Sequence, residues 1–215
     1  MPESNMLPAF LEAFRVNEIG SKSPLEILFA AKGQSGGSFG AMQGDLAAGQ
    51  KNVTKTFRDC LAAAGVPKAK IDSLIAKLAV HVTSNPLSAA DTKLVNEALR
   101  AGKDLVNRMD EEILQDVFED LDTCIATAAG AGRTIEAATQ LYIGLWINMT
   151  GKPSTLLTWL EGGNPGLSKP IPKAGKVVDV PAIQTYLKAT KFFVQNKKNF
   201  AHMVESVDAG VKLLP

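Results

Sequence analysis

Phe10-Leu-Glu-Ala-Phe-Arg-Val-Asn-Glu-Ile-Gly20 and Ser35-Gly-Gly-Ser-Phe-Gly-Ala-Met-Gln-Gly-Asp-Leu-Ala-Ala-Gly-Gln50 are the two stretches from which the fold is read. Leu7, Phe10, Leu11 and Phe14 recur at i, i+3, i+4 and i+7, so residues 7–17 form a helix with one apolar face. Gly20-Ser-Lys-Ser-Pro24 is a turn. Between Leu25 and Gly44 the helical period is lost. Two short apolar runs flank the reversal Lys32-Gly-Gln-Ser-Gly-Gly37, the pattern of a β-hairpin.

From Leu46 onward the period is helical almost throughout. Val53, Phe57, Leu61 and Ala64 make one stripe, which Gly65 closes before Pro67 opens the next helix. Ile71, Leu74, Ile75, Leu78 and Val82 make a second stripe. Ser88-Ala-Ala-Asp91 has the form of a capping box ahead of Leu94, Val95, Ala98 and Leu99. Ile113, Val117, Leu121 and Ile125 make a longer stripe, whose charged outer face reads as solvated. A helix is expected over about 133–148, a short one after Pro153, and two more over about 181–195 and 198–211. Gly162-Gly-Asn-Pro-Gly166 rules out regular structure at the head of a loop over 162–178. The expected class is α+β, predominantly α, in a single domain of residues 1–215. Its parts are a helix and hairpin (7–50), a helical lobe (51–161), the loop (162–178) and C-terminal helices (179–215).

The chain has 215 residues, 46% of them apolar and 21% charged, enough to bury a core and too apolar for disorder. Its net charge of +1 lacks the basic excess of a nucleic-acid binder. That total hides an asymmetry. Residues 1–145 carry 14 Lys and Arg against 18 Asp and Glu, whereas residues 146–215 carry 9 against 4. Cys60 and Cys124 are too few for a disulfide framework and read as small core residues, with a single bridge left open. His81 and His202 have no metal-ligand spacing, so no metal or other cofactor is expected. The N-terminus lacks the basic and apolar regions of a signal peptide, and no apolar run approaches the roughly 20 residues of a bilayer span. Synthesis in the cytoplasm without membrane insertion is therefore expected.

Two carboxylates stand out by position: Glu18 at the end of the first helix and Asp45 at the end of the glycine-rich segment. Such a pair can face each other across a cleft, and glycoside hydrolysis needs one protonated acid and one ionised partner. Glycines between them would let a sugar chain lie close to the backbone. On the same residues Glu18 can equally be a helix-end surface group, and Asp45 an N-cap for Leu46-Ala-Ala.

The first string resembles the opening helix of phage-type lysozymes, which ends in a glutamate and a glycine. The second resembles the hairpin of pesticin and its muramidase relatives, roughly Ser-Gly-x-Thr-x-Gly-x-Gly-x-Asp-x-Gly-Gln. Gln140-Leu-Tyr-Ile-Gly-Leu-Trp-Ile-Asn-Met-Thr-Gly151 is similar to their buried C-terminal-lobe helix. The resemblance covers about a third of the chain and implies a lysozyme-like fold, with Glu18 as general acid and Asp45 as base or electrostatic partner. Ser38 stands where the family has threonine. Gln34, Gln43 and Phe39 are the substrate-binding candidates. The chain departs from the family by one extra residue between Ser38 and Asp45, and by a turn with no acidic residue. Burial behind Phe14 would raise the Glu18 pKa, whereas Arg15 or Lys32 would lower it.

The resemblance implies hydrolysis of a β-1,4 aminosugar polymer, peptidoglycan above all, by a bacteriolytic lysin or toxin. It would act at the cell wall or periplasm after delivery by a holin or secretion system, with an immunity or delivery protein as partner. A carboxyl separation of roughly 6.5–9.5 Å, with inversion, is expected from a water held between them. A chitosanase-like hydrolase and a non-enzymatic helical partner-binding domain remain as alternatives. Trp146 reads as core, and Trp159 as core or a binding edge.

Overall fold

The computed structural model describes residues 4–29, 35–151 and 154–215. Ten α-helices and five short strands are present among them. In order they are α1 (Leu7–Ile19), β1 (Leu28–Phe29), β2 (Gly37–Phe39), β3 (Gly44–Asp45), α2 (Lys51–Ala63), α3 (Lys68–Leu78), α4 (Ala89–Ala101), α5 (Lys103–Gly130), β4 (Thr134–Ile135), α6 (Ala137–Thr150), α7 (Ser154–Leu160), β5 (Val177–Val178), α8 (Val180–Ala189), α9 (Lys191–Gln195) and α10 (Lys197–Val211). The class is α+β and predominantly α, as the periodicity implied.

The chain divides into two compact units, residues 18–114 on the one hand and residues 1–17 with 115–215 on the other. In the first, β1, β2 and β3 form an antiparallel sheet in the order β1-β2-β3, one strand more than the expected hairpin. Leu28 pairs with Ser38, and Ser38 pairs in turn with Asp45. The sheet and the helices α2 to α4 close on a core that includes Phe39, Val53, Phe57, Leu61, Leu74 and Leu99. Local signals close α2 and open α3 and α4 where the sequence places the punctuation, whereas α3 stops at Leu78, short of Val82 in the expected stripe. Gly65 adopts φ +77° after α2, Pro67 is the N-cap of α3, and Ser88 Oγ accepts the Asp91 N–H at 3.1 Å to start α4.

The second unit packs α6 at its centre, where Leu141, Tyr142, Ile143, Leu145 and Ile147 are buried. Trp146 is core, with its ring 5.2 Å from that of Phe193. Two features differ from the sequence reading. Thr134–Ile135 and Val177–Val178 pair as a parallel two-stranded sheet, and the expected 181–195 helix is broken at Thr190. Thr190 caps α9 with its own hydroxyl, and a Ser/Thr oxygen competes with helical continuation in this way. Both cysteines are free and buried, one in each unit.

Candidate active site

Glu18 lies in the last turn of α1, half-buried, and its backbone carbonyl accepts a hydrogen bond of 2.6 Å from Gln43 Nε2. Gln43 lies between β2 and β3 and has φ +49°, the one non-glycine residue in the left-handed region among the described residues. A residue with a Cβ is held there only when its surroundings impose it. The side-chain bond to the Glu18 carbonyl is one such constraint.

On the sheet, Ser38 and Asp45 are direct cross-strand partners, so their side chains leave the same face. Ser38 is 3% exposed, and its hydroxyl lies 3.4 Å from the Leu28 carbonyl and 3.5 Å from Gln43 Oε1. Both distances are long for a hydroxyl bond, so the group is loosely held. Asp45 Oδ1 accepts two backbone N–H groups, from Gly36 at 2.9 Å and Ala47 at 2.8 Å. The second makes Asp45 the N-cap of a single 3₁₀ turn over Leu46–Ala48. Oδ2 has no hydrogen-bond partner among the described residues.

Of the remaining candidates, Phe39 is 0% exposed, with its ring 5.8 Å from that of Phe57 in the core. This corrects its assignment to substrate binding, because a ring with no accessible face cannot stack on a sugar. Gln34 and Lys32 lie outside the described residues. Arg15 is held by Glu12 through two bonds of 2.8 Å, and its guanidinium lowers the Glu12 carboxyl below the usual range. Trp159 is 2% exposed, stacks on Tyr186 and donates its indole N–H to the Pro172 carbonyl, so it is chiefly a core residue.

The glycines of the segment answer to the protein rather than to a ligand. A Cβ on Gly36 would strike the Leu78 carbonyl, and one on Gly37 would lie 2.7 Å from Leu78 Cδ2. On Gly44 it would lie 2.8 Å from Val53, and on Gly40 it would strike the Asp110 carboxylate. These positions are small because helices press on the sheet, which corrects the expectation that they admit a sugar chain.

Asp110, on α5, is the residue that the sequence reading passed over. Only 3% exposed, it accepts the Ala41 N–H at 2.8 Å and the Met42 N–H at 3.0 Å, and so clamps the loop that carries Gln43. Burial pushes its carboxyl up to about 6, against the opposing pull of those two N–H groups. A signal was available. Asp110 follows Val106 by four residues and precedes Leu114 by four, which places an acid on the buried stripe of its helix.

No family model, curated protein or solved structure matches the chain.

Proposed function

We propose that this chain is a lysozyme-like muramidase, a glycoside hydrolase that cleaves β-1,4 aminosugar linkages in peptidoglycan. The observation that carries this reading is the Gln43 bridge. It fastens the end of α1, where Glu18 sits, to the loop between the strands bearing Ser38 and Asp45. A helix-end glutamate joined to a small antiparallel sheet is the arrangement that the lysozyme resemblance implies.

In this mechanism Glu18, protonated, donates its proton to the glycosidic oxygen as the bond to the anomeric carbon breaks. A water attacks that carbon from the opposite face and passes its proton to Asp45 through Oδ2, the oxygen not used in capping. Ser38 orients this water, and the configuration inverts. Gln43 keeps the sheet in register with the helix end. No cofactor takes part. The enzyme reaches the wall by a holin or secretion route, and an immunity protein is the partner expected of a producing cell.

Zymography on purified peptidoglycan tests the assignment. Glu18→Gln abolishes lysis while the circular dichroism spectrum is unchanged, and retained lysis would overturn it. Turnover of soluble chitosan without lysis of peptidoglycan would move the substrate to chitosan.

The capping bond of Asp45 favours a second reading, a non-enzymatic helical domain in which this carboxylate only starts the 3₁₀ turn. Asp45→Asn separates the two, because asparagine caps as well as aspartate. The muramidase reading expects a loss of lysis of about 10²–10⁴-fold with the thermal midpoint preserved. Unchanged lysis would leave Asp45 a cap.

A further inference from the structure

Five lysines of one unit and four of the other differ in what they face. Within residues 18–114, Lys55, Lys68, Lys70, Lys77 and Lys93 each lie within 4.0 Å of an aspartate or glutamate. In the other unit, Lys169, Lys188, Lys197 and Lys198 form no ion pair among the described residues. Three of them, Lys169, Lys188 and Lys197, open on one cavity of about 420 Å³ floored by Phe193, Val194 and Phe200. Lys197 and Lys198 continue into an adjoining groove of about 450 Å³ that also shares Val194. Neither is lined by an acidic residue. Lys188 Nζ stands 4.8 Å from the centre of the Phe200 ring, and Val194 is 38% exposed.

Like charges gathered without counter-charges repel one another, and an anion relieves that repulsion. The floor narrows the choice of anion. A wholly polar anion would meet the lysines and leave the phenylalanine and valine surface wet, whereas an uncharged apolar ligand would leave the ammonium groups unanswered. An amphiphilic anion satisfies both, and a cavity of this size lies in the range of ligand sites. No helix among the described residues is long and apolar enough to cross a membrane, so the contact is one of surface docking.

We propose that this face docks the chain on anionic phospholipid. The phosphodiester lies among Lys169, Lys188 and Lys197, and the glycerol and first acyl methylenes cover Val194 and the exposed part of Phe200. Lys198 extends the cationic rim. This goes beyond the hydrolase reading and does not depend on it, because phospholipid vesicles contain no glycan.

Co-sedimentation of the full chain with vesicles tests it, comparing equal parts phosphatidylglycerol and phosphatidylcholine with phosphatidylcholine alone. Binding is expected only to the anionic vesicles and should weaken at high salt. The combined Lys169→Gln, Lys188→Gln and Lys197→Gln variant keeps most of each aliphatic stem. It should bind on the order of a hundredfold more weakly, at about fivefold per lysine. Val194→Asp, with every lysine in place, should also bind more weakly, because it puts a like charge on the apolar floor. Equal binding to uncharged vesicles, or wild-type binding by the triple variant, would overturn the proposal. So would full competition by glycerol phosphate, which would make this a site for free phosphate. Binding to purified sacculi but not to vesicles would overturn it in favour of the wall.

Discussion

At the scale of single residues, Asp110 shows how a buried charge is tolerated in order to hold a loop. Its carboxyl, with an ordinary value of 3.8, is pushed up to about 6 in the folded chain. Between these two values the folded state keeps a proton that the unfolded state has released. The contribution of Asp110 to stability is therefore greatest at acid pH, and it declines by roughly 3 kcal/mol as pH rises through about 4 to 6. Asp110→Asn removes that dependence and gives up one of the two backbone bonds, a loss of about 1 kcal/mol. Urea unfolding of both proteins at pH 4 and pH 7 checks this. The stability difference should move by roughly 2 kcal/mol in favour of the variant at the higher pH, and no movement would refute the assignment. Glu18 and Asp45 are legible as candidates because a helix end and a glycine-rich segment mark themselves in sequence, whereas Ser38 is a candidate only through the family resemblance. In the sequence Gln43 is a substrate-contact candidate, and the folded chain ties its side chain to the Glu18 carbonyl.

Among the elements, helix existence and type followed from periodicity, and boundaries followed wherever a glycine, proline or serine cap was present. The exceptions have physical causes. The parallel pairing of β4 with β5 joins two-residue strands 43 positions apart, Thr134 with Val177, too short and too distant to leave a pattern. Glycines inside helices carry packing that a sequence pattern does not show. Gly210 on α10 is a close-packing site: a Cβ there would lie 2.5 Å from the Ala9 carbonyl oxygen and 3.0 Å from Ala13 Cβ on α1. Gly144 on α6 does the same for the Phe10 ring, where a Cβ would sit 2.7 Å from Cε1. Overpacking such a contact costs about 1–3 kcal/mol, so Gly210→Val should lower the thermal midpoint measurably. An unchanged midpoint would show that the two helices can separate without loss.

For the molecule as a whole, the net charge of +1 is a sum over regions of opposite sign. The structure adds that five lysines in residues 18–114 are paired with acids, whereas a group in the other unit surrounds an apolar floor without them. The charge asymmetry could be counted in the sequence, but its gathering onto one cavity could not. By itself the sequence determined the helical character of the chain, the interruption by a small sheet and the main helix caps. These are local properties, set by repeats of a few residues and by side chains bonding to their own backbone. Tertiary structure alone decided that Phe39 is core, that the hairpin glycines make room for helices, and that Asp110 holds the loop bearing Gln43. The Asp110 contacts join residues 69 and 68 positions apart. Which groups meet over such distances is set by burial of the whole core, and no local pattern encodes it.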